Sequence, residues 1–153
     1  MNSAAVDALR REASERLDPA RRAELGQFMT PYGIASFMAG LFDPLHGPVR
    51  LLDAGAGVGS LTAAFLDSHA DIPVEVDAWE IDATLRDYLA DTLAQRTVKS
   101  PGSRASIHPG DFIEDSVWNL SMQCGPRFTH AILNPPYRKI GGNSSHRQLL
   151  RQV

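Results

Sequence analysis

The run Val49-Arg50-Leu51-Leu52-Asp53-Ala54, followed by Gly55-Ala56-Gly57-Val58-Gly59, leaves this chain few folds to choose from. The first half is apolar and reads as a buried strand. The second half needs glycine, because the backbone there must turn sharply and come close to a ligand. Behind it, Val58, Leu61, Phe65 and Leu66 fall on the inner face of a helix. Strand, glycine turn and helix make the first unit of a nucleotide-binding α/β domain. Asp53 stands at the strand end before the first glycine, where a carboxylate suits an ammonium or sulfonium charge and repels a pyrophosphate.

Further units follow in order. Val74 to Glu80 alternates apolar and polar residues and ends in an acid, so Glu80, with Ile81 beside it, is placed to accept ribose hydroxyls; a surface acid is the lesser alternative. Asp82 caps a helix carrying Leu85, Tyr88, Leu89 and Leu93 as core, and Arg104 to His108 is a short third strand. Gly110-Asp111-Phe112 comes next. Asp111 suits an adenine amino group and Phe112 the ring, while Asp111 also reads as the cap of a helix from Phe112 to Leu120; the two roles are compatible. Ahead of the glycine loop, Asn2 to about Leu17 is helical, with Val6, Leu9, Ala13 and Leu17 on one side, and Arg21 to Leu25 adds a turn. Thr30-Pro31 then reads as a capped helix start, with Ile34, Phe37, Met38, Leu41 and Phe42 as its inward apolar stripe.

Thr129 to Leu133 reads as a fourth strand, stopped by Asn134-Pro135-Pro136-Tyr137. The prolines remove two backbone donors and fix the chain rigidly at the strand's carboxyl end. The Asn134 side-chain oxygen and the Pro135 carbonyl are then acceptors beside the flat face of Tyr137, a set that fits a planar ring bearing an amine. Alone, the tetrapeptide reads equally as a strand-ending turn.

Asn134-Pro135-Pro136-Tyr137 resembles the catalytic motif of the amino-methyltransferases, which methylate adenine N6 in DNA and, in related families, a glutamine amide or guanine N2. Gln27-Phe28-Met29-Thr30-Pro31 resembles the amino-terminal cofactor motif of adenine DNA methyltransferases of the γ arrangement and of combined restriction-modification enzymes, where it closes over the methionine end of S-adenosylmethionine. The likeness runs from Gln27 to about Lys139, with the motifs in γ order. It implies a Rossmann-like class I methyltransferase fold of the α/β class, partial, with about four strands of the usual seven. It implies S-adenosylmethionine as cofactor, held by Asp53, Gly55, Gly57, Glu80, Ile81, Asp111 and Phe112 with Thr30 nearby. Asn134, Pro135, Pro136 and Tyr137 would hold an adenine flipped out of DNA. The Asp-x-Gly-x-Gly-x-Gly spacing also favours this cofactor over NAD, although a dehydrogenase is a further alternative.

The implied divisions are a helical segment over 1–45 carrying the Gln-Phe-x-Thr-Pro motif, a cofactor-binding core over 46–140, and a basic flexible tail over 141–153. Arg138, Lys139, Arg147 and Arg151 give the end of the chain a positive charge that reads as a phosphate contact or as a solvated loop. A net charge of -3 over 153 residues gives no overall nucleic-acid signature. The single cysteine, Cys124, excludes an internal disulfide and offers no zinc cluster, and a sulfonium leaving group needs no metal. With no signal peptide or apolar span, the expected place is the cytoplasm. The fourth strand would lie beside the first with a bare outer edge, open to pairing or aggregation. The chain therefore reads as the amino-terminal part of a longer enzyme, or as half of a split one completed by a second polypeptide. Methylation of a protein glutamine or RNA guanine, and a truncated subunit that only binds, are the alternatives.

Overall fold

The computed structural model describes residues 3–20, 27–135 and 144–153. Its elements run α1 (Ser3–Arg16), α2 (Tyr32–Ala39), β1 (Val49–Ala54), α3 (Ser60–Ser68), β2 (Val74–Trp79), α4 (Ala83–Thr97), β3 (Arg104–His108), α5 (Phe112–Ser121), β4 (His130–Ala131) and α6 (Ser145–Leu149). The four strands form one parallel sheet in the order β3-β2-β1-β4. This is the α/β, Rossmann-like arrangement expected from the alternation of strands and helices.

The register is set by burial. Along β2, Val74, Val76 and Ala78 face the main core, shared with Val49 and Leu51 of β1, Phe65 of α3 and Leu89 of α4. A slip of one residue would turn this set to the opposite face. That face carries Glu75, Asp77 and Trp79, where Arg50 pairs with Glu75 and Asp77 and the Trp79 ring stacks on His108 at 4.0 Å. A smaller core joins α1 to the rest: Ala13 and Leu17 pack with Val58, Leu85 and Tyr88.

β4 is shorter than the Thr129 to Leu133 strand expected. Its regular ladder covers His130 and Ala131, and single bonds from Thr129 N to Arg50 O and Ile132 N to Leu52 O extend its hold on β1. No strand lies on its outer edge among the described residues.

The helix after Pro31 differs from expectation in two ways. Its buried residues are Ala35 and Ala39, whereas Ile34, Phe37 and Leu41 are 54%, 68% and 68% exposed. Small side chains let α2 approach α3 closely, so Ala35 and Ala39 take the innermost positions; Met38 and Phe42 of the expected stripe pack against the core beside them, and Ile34, Phe37 and Leu41 turn outward. Met38 and Leu41, with Phe42, Ala131, Ile132 and Leu133, line an open apolar groove of about 310 Å³ beside β4. Its start also differs: Pro31 stands at the N-cap and Thr30 makes no cap, while the Tyr32 amide donates to Asp7 Oδ1 of α1 at 3.0 Å. The turn expected from Arg21 to Leu25 lies outside the described residues. In the tail read as flexible, Ser145–Leu149 is helical and packs on α5.

Candidate functional site

Strand carboxyl ends gather the expected residues on one edge of the sheet. The loop after β1 is pinned from behind, since Gly55 N and Ala56 N both donate to Trp79 O at 2.9 Å. Gly57 has a φ of 60° and its amide donates to Glu80 Oε2 at 2.8 Å, so the glycine turn is tied to the end of β2. Glu80 is buried and its other oxygen accepts Asp82 N at 2.8 Å. Each oxygen therefore holds one amide and keeps a second lone pair. Burial raises the Glu80 pKa against the pull of these two amides.

Asp53 lies deeper. It is fully buried, and Thr62 of α3 donates its hydroxyl to Oδ2 at 2.6 Å. Its Oδ1 is buried with no hydrogen-bond partner. Burial pushes its pKa up from 3.8 to about 7, Thr62 draws it partly back, and the Glu80 charge adds to the rise. A buried carboxylate in this state answers strongly to a nearby cation.

Asp111 is the cap of α5: Oδ1 accepts Ile113 N at 2.8 Å and Glu114 N at 3.3 Å. Its Oδ2 meets His146 Nε2 at 2.8 Å. Phe112 sits edge-on to Trp79 with centroids 5.3 Å apart, and Ile81 is 46% exposed beside Glu80.

The segment before α2 joins the two halves of the site. A Cβ built on Gly57 would lie 3.4 Å from Met29 Cγ, so the segment runs against the glycine turn. One residue later, Thr30 accepts from Asn134 Nδ2 at 3.0 Å, and Phe28 O accepts from the same group at 3.4 Å. Thr30, expected beside the cofactor, thus turns its hydroxyl to the motif at the end of β4. With Nδ2 engaged twice, Oδ1 is the end of Asn134 left to accept. Both polar atoms of the Gln27 amide are buried without a hydrogen-bond partner. Pro135 is exposed; Pro136 and Tyr137 lie outside the described residues.

His146 and Gln27 are the residues that sequence reasoning passed over as individuals. Gln27 was visible only as part of its motif, and nothing in the pattern around His146 pairs it with a residue 35 positions earlier.

No family model matches the chain. Over 144 residues it is 46% identical to the type II methyltransferase M.BsuBI of Bacillus subtilis, covering 86% of this chain and 28% of that protein. Over 156 residues it is 36% identical to the type II methyltransferase M.PstI of Providencia stuartii, covering 97% and 31%. The chain belongs to the type II methyltransferase family. This methyltransferase chain spans less than a third of the length of either relative. It is also 35% identical over 111 residues to the tRNA1(Val) (adenine(37)-N6)-methyltransferase of Escherichia fergusonii, covering 71% of the chain and 41% of that protein. Among solved structures, the glycopeptide N-methyltransferase MtfA shares 23% identity over 67% of this chain and 39% of its own, at a TM-score of 0.39. The expected second polypeptide finds no support in these relatives.

S-adenosylmethionine is the cofactor of this family. The residues suit it: an orphaned carboxylate oxygen on Asp53, an orphaned amide on Gln27, and lone pairs of Glu80 answer an ammonium, a carboxylate and hydroxyls. No metal-holding cluster of His, Cys, Asp or Glu occurs among the described residues, and no helix among them is long and apolar enough to cross a membrane.

Proposed function

We propose that this chain is the cofactor-holding and base-holding part of an enzyme that methylates adenine N6 in DNA, acting in the bacterial cytoplasm as part of restriction-modification. The observation that carries the reading is the placement of Asn134: the segment that touches the glycine turn through Met29 also grips the Asn134 amide through Thr30 and Phe28. Cofactor loop and amine-binding motif are thereby held side by side.

In this reading Asp53, Gly55, Gly57 and Glu80, with Ile81, hold the methionine end and ribose, and Asp111 and Phe112 hold the adenine of the cofactor. When bound, S-adenosylmethionine supplies an electrophilic methyl group. The chain's own work is on the acceptor. An exocyclic amine spreads its lone pair into the ring and is a poor nucleophile. Asn134 Oδ1 and the Pro135 carbonyl accept its two hydrogens, pull them out of the ring plane and relocalise that pair on nitrogen. Thr30 and Phe28 keep the Asn134 amide from swinging, so the acceptor is fixed before substrate arrives. Pro136 and Tyr137 complete the motif, with Tyr137 stacking on the base. A base inside duplex DNA has to leave the stack to reach such a site.

Adenine in RNA is the second reading, favoured by the likeness to the tRNA1(Val) (adenine(37)-N6)-methyltransferase. The test is calorimetric titration with S-adenosylmethionine, followed by methyl transfer to matched DNA duplexes, RNA hairpins and a glutamine peptide. Asp111→Ala should lose cofactor affinity while Asn134→Ala keeps it and loses transfer. Labelling of RNA or peptide in preference to DNA would overturn the assignment.

A further inference from the structure

Asp111 has two oxygens, and both are occupied. Oδ1 takes Ile113 N and Glu114 N, bonds that hold the first turn of α5 and cannot be given up without fraying it. Oδ2 is the oxygen that remains to meet a ligand, and His146 Nε2 is bonded to it at 2.8 Å. His146 reaches it from α6, a helix of 5 residues with no buried side chain. Ser144 caps α6 by accepting Arg147 N at 3.3 Å. The helix packs on α5, and His146 is a polar tie from it to the site.

We propose that α6 is a latch on the cofactor subsite: His146 occupies the Asp111 oxygen that the cofactor's adenine amine takes, and cofactor binding releases the helix. The inference rests on Asp111 being the acceptor for that amine. The His146 ring nitrogen, bonded to Oδ2 at 2.8 Å, competes with an exocyclic amine for that oxygen. The latch is weak by construction. It is one hydrogen bond between side chains 36% and 21% exposed, a strength that a ligand making several other contacts overcomes. A cofactor entering at the β3 end thus frees Ser145–Leu149, with Arg147 on it.

The test uses the chain itself and two readouts. Calorimetry with S-adenosylmethionine should find His146→Ala binding roughly two- to fivefold tighter than wild type, and His146→Gln close to wild type, because glutamine keeps an N–H donor of similar reach. Trypsin cleavage after Arg147, identified by mass spectrometry, should quicken with saturating cofactor in wild type and be fast in His146→Ala with or without it. Equal or weaker binding by His146→Ala, or slower cleavage on adding cofactor, would overturn the latch. Asp111→Ala separates the two levels of argument. Loss of affinity there, with His146→Ala equal to wild type, refutes the latch alone; wild-type affinity in Asp111→Ala removes the reading beneath it as well.

Discussion

Asp53 offers a direct measure of what burying the cofactor-side acid does to this fold. In the folded chain its pKa stands at about 7 against an ordinary 3.8, raised first by burial. The folded state thus binds the proton more tightly than the unfolded chain. Its contribution is full below pH 3.8 and is lost as the pH rises through about 7. The span of about three units corresponds to about 4 kcal/mol, of which more than half falls between about pH 5 and about pH 8. Asp53→Asn keeps the shape and an acceptor for the Thr62 hydroxyl but cannot titrate. Thermal unfolding of wild type and variant, followed across that range, should show wild type losing roughly 5–10 °C relative to the variant. The slope left in Asp53→Asn reports Glu80, whose pKa is raised in the same sense. If the two curves run parallel, burial is not what holds the proton, and water or a cation must reach Oδ1.

Three further outcomes follow from named contacts. Gly59→Ala puts a Cβ 2.8 Å from Leu89 Cδ1 at a φ of 82°, whereas Gly47→Ala meets nothing at a φ of 85°; the first should cost roughly 1–3 kcal/mol more by urea denaturation, and equal losses would mean the core yields freely. Asp7→Ala removes the acceptor for the Tyr32 amide and should cost roughly 1 kcal/mol at neutral pH. Because that amide lowers the Asp7 pKa, its contribution is present above 3.8 and lost as the pH falls through the lower folded value, so the gap between wild type and variant should close in acid. Thr30→Val removes an acceptor for Asn134 Nδ2; turnover should fall roughly tenfold with cofactor affinity retained, and a loss confined to cofactor affinity would place Thr30 against the cofactor instead.

The sheet was legible because its strands are short apolar or alternating runs closed by glycine, acid or proline. Val49 to Gly59 is the clearest case, carrying strand, turn and helix in one stretch. The face of α2 was read in part, Met38 and Phe42 packing on the core as expected, and the error at Ile34 and Phe37 has a physical reason. Periodicity weighs side chains by hydrophobicity, whereas close helix packing selects them by size, so Ala35 and Ala39 outrank Ile34 and Phe37. The cap of the same helix was misread because Asp7, which accepts the Tyr32 amide, is 25 residues away and only the fold brings it there. His146 on Asp111 is hidden likewise, since no local spacing signals a contact made by a short surface helix.

The step from Met29 to Thr30 acts as a ruler. One residue sets its mark on the glycine turn at Gly57 and the next sets its mark on Asn134, so a single backbone repeat of the segment bridges the ends of β1 and β4. A residue inserted or deleted here would shift one mark against the other by roughly 3.5 Å. Reacting groups tolerate misplacement of only about 0.5 Å, so length in this segment is under tighter constraint than composition. Substitutions at Met29 that keep contact with Gly57 should be tolerated, and changes of length should not.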